Sequence, residues 1–209
     1  MEDVLDIYER PYDEAAPVVC MDEQPVQLIK ETRRPLPVRP GEPKRIDYEY
    51  ERAGTASIFL FHEALKGWRA AHVRERRTAV DFALEVAWLL DEVYPDAPTV
   101  VLVCDNLNTH TEASLYEAFE PQRARALAAR LDIRHTPKHG SWLNAAECEL
   151  SALTRQALSG RIGTLARLRR QVGAWEKERN SRQVGVDWQF TTAEARIKLR
   201  TLYPQPQLS

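Results

Sequence analysis

The sequence predicts an α/β domain built on a mixed sheet, with an antiparallel hairpin beside parallel strands and with helices on the flanks. Two apolar runs rich in β-branched residues, 18–22 and 99–104, are typical of strands that are buried on both faces. Two further strand-like segments, 55–61 and 68–73, are separated by a turn at Lys66-Gly67, which predicts a hairpin. Helical patterns lie between the later strands, as parallel strands require.

The first half of the chain is divided by proline and by helix signals. Residues 1–17 carry only a weak apolar pattern, and we interpret them as a lead-in segment. Residues 31–47 contain four prolines, which predicts an extended loop. Thr78 is expected to begin a helix, because apolar residues recur after it at a 3.6-residue spacing, and the helix ends before Pro95.

The second half is predicted to be mainly helical. A helical region at 111–130, interrupted at Pro121, leads to a short strand at 131–135. Ser141 is predicted to cap a helix that begins at Trp142. A further helix is predicted from the helical spacing of four apolar residues, Leu165, Leu168, Val172 and Trp175. A last short helix is predicted from the capping-box spacing of Thr191 and Glu194. We therefore expect a lead-in segment (1–17), a sheet domain (18–160) and a helical C-terminal extension (161–209) packed on it.

Composition excludes several classes of protein. With 209 residues, of which 44% are apolar and 29% charged, the chain can bury a core and is not disordered throughout. Its three cysteines show no CxxC spacing, which argues against a disulfide framework and against zinc. No apolar run approaches the ~18 residues that span a bilayer, and the acidic N-terminus does not resemble a secretory signal. We expect a cytosolic protein that does not contact membranes.

The net charge of −2 conceals alternating blocks. Residues 1–25 carry −7, residues 26–80 carry +5, residues 81–150 carry −7 and residues 151–209 carry +7. Charge runs alone are ordinary solvated faces. Beside the carboxylates described next, the pattern suits a protein that gathers acidic groups at one place and contacts phosphate at others.

Two acidic residues, Asp22 and Asp105, directly follow the buried strands, where open α/β sheets place their sites. A carboxylate there must be paired or bound to a cation, although a strand-end Asp that caps a turn is the alternative. A third candidate lies on the helix after Trp142, where Glu147 and Glu149 flank the apolar stripe and periodicity does not choose between them. Three carboxylates suit Mg²⁺ or Mn²⁺ better than zinc, and two such ions promote phosphodiester hydrolysis.

Three motifs resemble the DDE signature of bacterial insertion-sequence transposases, in the IS-six-thirty branch of the mariner superfamily. They are Val-Cys-Met-Asp-Glu at 19–23, Asp-Asn-Leu-Asn-Thr-His at 105–110, and Thr-Pro-Lys-His-Gly-Ser-Trp-Leu-Asn-Ala-Ala-Glu at 136–147. The connecting stretches at 48–52, 75–78 and 187–192 also resemble those of this family, so the resemblance extends from about residue 17 to the end.

The resemblance implies an RNase H-like fold with a catalytic and metal-binding triad of Asp22, Asp105 and Glu147, and it selects Glu147 over Glu149. It implies two Mg²⁺ or Mn²⁺ ions, hydrolysis at the transposon end, and in-line attack of the freed 3′-hydroxyl on target DNA. The expected partners are transposon-end and target DNA and a second copy of the chain in a homodimer. The expected location is the cytoplasm, in association with the nucleoid.

The chain departs from the family pattern in two ways. The 41 residues between Asp105 and Glu147 exceed the usual interval, and we expect the helical insert at 111–130 to absorb the difference. The helix-turn-helix modules that normally read the transposon ends do not fit before Asp22, so we expect a separately encoded portion to supply them. The alternatives are an inactive transposase remnant that retains only non-specific DNA binding, and a stand-alone RNase H-type nuclease.

Several polar residues are candidates for DNA contact. Lys138, His139 and Asn144 flank the start of the Glu147 helix, where free N–H groups and the helix dipole attract phosphate. We interpret His110 as a hydrogen-bonded structural histidine and Trp142 as a packing residue rather than a base-stacking one. Basic residues expected to contact the DNA backbone, each of which is otherwise a solvated charge, are Arg76 and Arg77, with Arg33, Arg34, Lys44, Arg45, Arg167, Arg169 and Arg170 as further candidates.

Overall fold

A computed structural model describes residues 1–33, 40–41, 48–138, 140–186 and 188–203, and for Ser141 the backbone alone. Most of the predicted loop at 31–47 lies outside the described residues. The same holds for four candidate DNA contacts, which are Arg34, Lys44, Arg45 and His139.

Five strands form one sheet in the order β3-β2-β1-β4-β5. The strands are β1 (Val18–Glu31), β2 (Tyr50–Glu63), β3 (Trp68–Arg74), β4 (Val100–Cys104) and β5 (Leu131–His135). The first three pair antiparallel in turn, whereas β1 with β4 and β4 with β5 pair parallel. The predicted mixed sheet is therefore confirmed.

The first two strands are longer than predicted. Their pairing continues to Glu31 opposite Tyr50, whereas β4 pairs with β1 only up to Cys20 and β3 pairs with β2 only from Ser57. The distal halves of β1 and β2 therefore form a two-stranded arm that extends past the rest of the sheet.

Seven α-helices lie in the described part of the chain: α1 (Glu2–Tyr8), α2 (Ala79–Trp88), α3 (Ala113–Ala118), α4 (Pro121–Ala128), α5 (Ala145–Ala157), α6 (Leu165–Ser181) and α7 (Thr192–Lys198). A π-helical turn, Leu89–Val93, continues α2. The predicted caps account for several of their starts. Thr78 and Thr191 each form a capping box. Pro121 occupies the first turn of α4, where its missing N–H costs nothing. No helix in these described ranges has the length and apolarity that crossing a membrane requires.

One helix was not predicted, and one prediction about local structure was wrong. The lead-in segment contains α1, whose Val4, Leu5 and Ile7 are fully buried, so tertiary packing stabilises a helix that the weak local pattern did not predict. The helix expected at Trp142 begins later: Ser141–Leu143 form a 3₁₀ turn, and Asn144 is the N-cap of α5. The domain boundaries at residues 17 and 160 stay a prediction.

Helices cover both faces of the sheet. One face, which carries Cys20 and Val103, packs against α1, α5, α6 and α7. The other face, which carries Val19 and Met21, packs against α2, α3 and α4. Because successive side chains of a strand alternate between faces, Asp22 shares the α5 side with Cys20, and Glu23 shares the α2 side with Met21.

Candidate active site

Sheet register places the two aspartates side by side. The parallel pairing of β1 with β4 ends with Cys20 opposite Val103, and continuing it by two places sets Asp22 opposite Asp105. Asp105 directly follows the last residue of β4. Neighbouring strands lie about 4.8 Å apart, so the two carboxyl groups share the carboxyl edge of the parallel part of the sheet.

The pKa of Asp22 responds to the charged groups around it at this edge. Burial raises the pKa of its carboxyl group to about 6, and the negative charges of Asp105 and Glu147 act in the same direction. A hydrogen bond from the Glu23 amide, 2.8 Å from Asp22 Oδ1, and the nearby His110 oppose this rise in pKa. Since both other carboxylates influence Asp22, the three predicted residues share one electrostatic neighbourhood.

The two glutamates of α5 have different environments. Glu147 lies in the first turn of α5 and is exposed. Glu149 is 4% exposed. Its carboxylate lies 3.0 Å from Arg69 Nε and accepts hydrogen bonds from Arg179 Nε at 2.9 Å and Arg179 Nη2 at 2.5 Å. Glu149 is therefore committed to an ion cluster between α5, β3 and α6, while Glu147 remains available beside Asp22.

Asp105 is held by a buried histidine. Its Oδ1 lies 2.6 Å from His110 Nδ1, and His110 Nε2 lies 3.2 Å from Glu23 Oε1. The His110 ring is fully buried and stacks on Phe82 at a centroid distance of 4.8 Å. Burial lowers the pKa of His110, but the bonds to Asp105, Cys104 and Glu23 outweigh burial and raise it to about 12. His110 is thus a hydrogen-bonded interior cation, in line with its interpretation as a structural residue.

The donors fit a hard divalent cation in kind, since all three are carboxylates and offer only oxygen. The charges of Asp105 and Glu147 that raise the pKa of Asp22 create a negative field, which a cation at this edge would offset. The positions of these side chains do not form a complete metal site. Among the described residues, no group of three or more His, Cys, Asp or Glu side chains is arranged to hold a metal ion. Asp105 Oδ1 is paired with His110 Nδ1 at 2.6 Å.

The candidate DNA contacts differ in accessibility. Arg76, Arg77 and Lys138 are exposed. Asn144, by contrast, is 1% exposed, and both ends of its amide are bonded inside the protein: Nδ2 donates to Met21 O at 2.8 Å, and Oδ1 accepts from Ala146 N at 3.1 Å. We therefore correct the prediction that Asn144 contacts DNA, because its side chain is used to join two elements of the fold.

Other candidates lie on the surface or at its edge. Arg167, Arg169 and Arg170 are exposed on α6. Trp142 is 40% exposed and meets the ring of Phe190 edge-on at 5.8 Å, so it packs only in part.

Sequence reasoning missed three contacts: those of Glu149 with Arg69, of His110 with Glu23, and of Asn144 with Met21. A signal existed for the first. Arg69 lies between the apolar residues Trp68 and Ala70 of β3, and a charged residue at such a position requires a buried partner.

A mixed sheet of five strands flanked by helices is the architecture of RNase H-like transposase catalytic domains. A family model described as "DDE superfamily endonuclease" matches residues 17–169, which is most of the chain. The chain therefore belongs to the DDE superfamily of endonucleases.

Solved structures share the fold. The Mos1 mariner paired end complex with Mn is 16% identical, with a TM-score of 0.57 over 88% of this chain and 55% of that chain. The Mos1 strand transfer complex is 16% identical, with a TM-score of 0.58 over the same shares. The mariner Mos1 paired end complex with Mg is 15% identical, with a TM-score of 0.55 over 90% of this chain and 62% of that chain. This chain thus spans a little over half the length of those chains. No curated protein sequence matches it.

Proposed function

We propose that this chain is the catalytic domain of a DDE transposase of the IS-six-thirty type within the mariner superfamily. In this proposal it cleaves a phosphodiester bond at the transposon end and transfers the freed 3′ end to target DNA. Membership of the DDE superfamily supports the reaction class. The observation that supports the site assignment is the sheet register, which brings half-buried Asp22 level with Asp105, and the charges of Asp105 and Glu147 raise the pKa of Asp22.

The chain's own residues would prepare the site. Asp22, Asp105 and Glu147 would hold Mg²⁺ or Mn²⁺, two ions in our proposal, which when bound activate the attacking oxygen and stabilise charge on the leaving oxygen. With a pKa of about 6, Asp22 is mostly ionised at neutral pH and able to act as a ligand. His110 orients Asp105 and neutralises part of the negative charge of the site.

The choice of Glu147 rests on the environment of each glutamate. Recruiting Glu149 would leave the fully buried Arg69 without its partner, a cost of several kcal/mol. Glu147 reaches the site without breaking any such contact.

DNA is the proposed substrate. Exposed Arg76, Arg77 and Lys138 would contact phosphate, which positions DNA without reading its sequence. Structures that share the fold are described as paired end and strand transfer complexes, which supports proposing transposon ends and target DNA as ligands of a homodimer. We also propose that helix-turn-helix modules read the ends, and that the protein acts in the cytoplasm on the nucleoid.

The test is cleavage of transposon-end DNA supported by Mn²⁺ or Mg²⁺. We expect Asp105→Asn to abolish nicking while the circular dichroism spectrum stays that of the unaltered chain. Asp96→Asn is the matched control, since Asp96 is an exposed aspartate that precedes the start of β4, at the strand end opposite to Asp105. Equal nicking by both variants would reject the assignment. Metal-independent DNA binding without nicking by the unaltered chain would instead indicate an inactive remnant.

A further inference from the structure

Asn144 joins the strand that carries Asp22 to the helix that carries Glu147. Its Oδ1 accepts a hydrogen bond from Ala146 N, which caps α5. Its Nδ2 donates at 2.8 Å to the carbonyl oxygen of Met21, the residue before Asp22. Both bonds are buried, so water does not compete for them.

The same junction has a second tie. Tyr8 Oη donates to Leu143 O at 2.7 Å and lies 3.1 Å from Cys20 Sγ. Two successive residues before α5 are thus linked to two successive residues of β1. Pairing of β1 with β4 ends at Cys20, so the bond from Asn144 falls just beyond the last pair.

An N-cap alone does not require asparagine. Serine and aspartate supply the capping oxygen about as well, but serine has no second arm. Here the amide nitrogen, which capping does not use, is bonded to β1. This second bond connects the backbone next to Asp22 with a point three residues before Glu147.

We propose that Asn144 is a positioning residue, which sets the separation of Asp22 and Glu147 and thereby the affinity of the site for a divalent cation. The proposal rests on the proposed function, because it assumes that these carboxylates bind the cation together. It assigns no contact between Asn144 and the cation or DNA.

The test separates the tie to β1 from the cap. Mn²⁺ binding to the full chain is measured by titration calorimetry, beside thermal unfolding. Asn144→Ser keeps a capping oxygen and is too short to reach Met21, and we expect its Kd for Mn²⁺ to rise about 10-fold, the lower end of the effect of residues that orient metal ligands. Asn144→Thr, a second short capping residue, is measured in the same way if Asn144→Ser folds poorly.

The matched control removes a cap elsewhere. Thr164 Oγ1 caps α6 by accepting from Arg167 N at 3.2 Å. We expect Thr164→Ala to lower the unfolding temperature and to leave the Kd for Mn²⁺ unchanged.

Each outcome decides one of the two proposals. An unchanged Kd in Asn144→Ser, or an equal rise in Thr164→Ala, overturns the positioning role. If Asp105→Asn still abolishes Mn²⁺ binding in those cases, the proposed function stands without it. If the unaltered chain binds no Mn²⁺, both proposals fall.

Discussion

The two glutamates of α5 are expected to respond oppositely to the same substitution. Glu149→Gln removes the only carboxylate in contact with Arg69 among the described residues, and Arg69 is fully buried. Removing one partner of a buried ion pair costs about 3–5 kcal/mol. At about 2–4 °C per kcal/mol for a chain of this size, the unfolding temperature should fall by on the order of 10 °C.

Glu147→Gln changes an exposed residue and removes a charge that raises the pKa of Asp22. Its unfolding temperature should equal or slightly exceed that of the unaltered chain, because a repulsion is lost. Its metal-supported nicking should disappear, whereas Glu149→Gln, assayed well below its unfolding temperature, should retain nicking.

Thermal unfolding by circular dichroism and the nicking assay together test this pair. The double variant Arg69→Met/Glu149→Met should recover part of the lost stability, since apolar residues of similar volume replace the buried Arg69–Glu149 pair at little cost, whereas half-buried Arg179 still loses its carboxylate partner. Unfolding of Glu149→Gln at the temperature of the unaltered chain would refute the argument about the ion cluster. Nicking by Glu147→Gln would refute the role given to Glu147.

Two further predictions concern charge. Burial raises the pKa of Asp22 from 3.8 to about 6, so its ionised form destabilises the fold above pH 6 by up to about 3 kcal/mol, and this cost disappears below about pH 4. Without added metal, Asp22→Asn should be more stable than the unaltered chain in urea at pH 8 and equally stable at pH 4; a gain that does not change with pH contradicts this. Replacing Arg76 and Arg77 by alanine should reduce the salt slope of DNA binding by about 2. The same change at Arg182 and Arg196, which are paired with Glu178 and Glu2, should have a smaller effect; equal slopes would remove the first pair from the DNA contacts.

Elements with strong local signals could be predicted from the sequence. Strand β5 and the two helices divided at Pro121 were predicted closely, because apolar periodicity and proline act within a few residues. The starts of α1 and α5 depend on distant contacts. Ser141 and Asn144 are both good caps, and the bond of Asn144 to Met21 decides between them.

Some residues of the candidate site could likewise be predicted from local sequence, and others could not. Asp22 and Asp105 could be predicted as candidates, since each follows a buried strand. Periodicity did not separate Glu147 from Glu149, because the difference is made by Arg69 in β3 and Arg179 in α6. The position of a charged partner in another element is not encoded in the pattern of α5.

The two-stranded arm of β1 and β2 has a consequence for self-association. Among the described strands, its outer edges pair with neither β3 nor β4, although on the β1 edge Ile29 N donates to Ile162 O at 2.8 Å. Strand edges without such a partner are templates for intermolecular β-pairing. Pro25 lacks an amide donor, the register shifts between Gln27 and Ile29, and Lys30 opposite Glu51 adds charge. Proline, bulges and charge are the devices that make such edges poor templates, so the arm can project from the sheet without seeding aggregates.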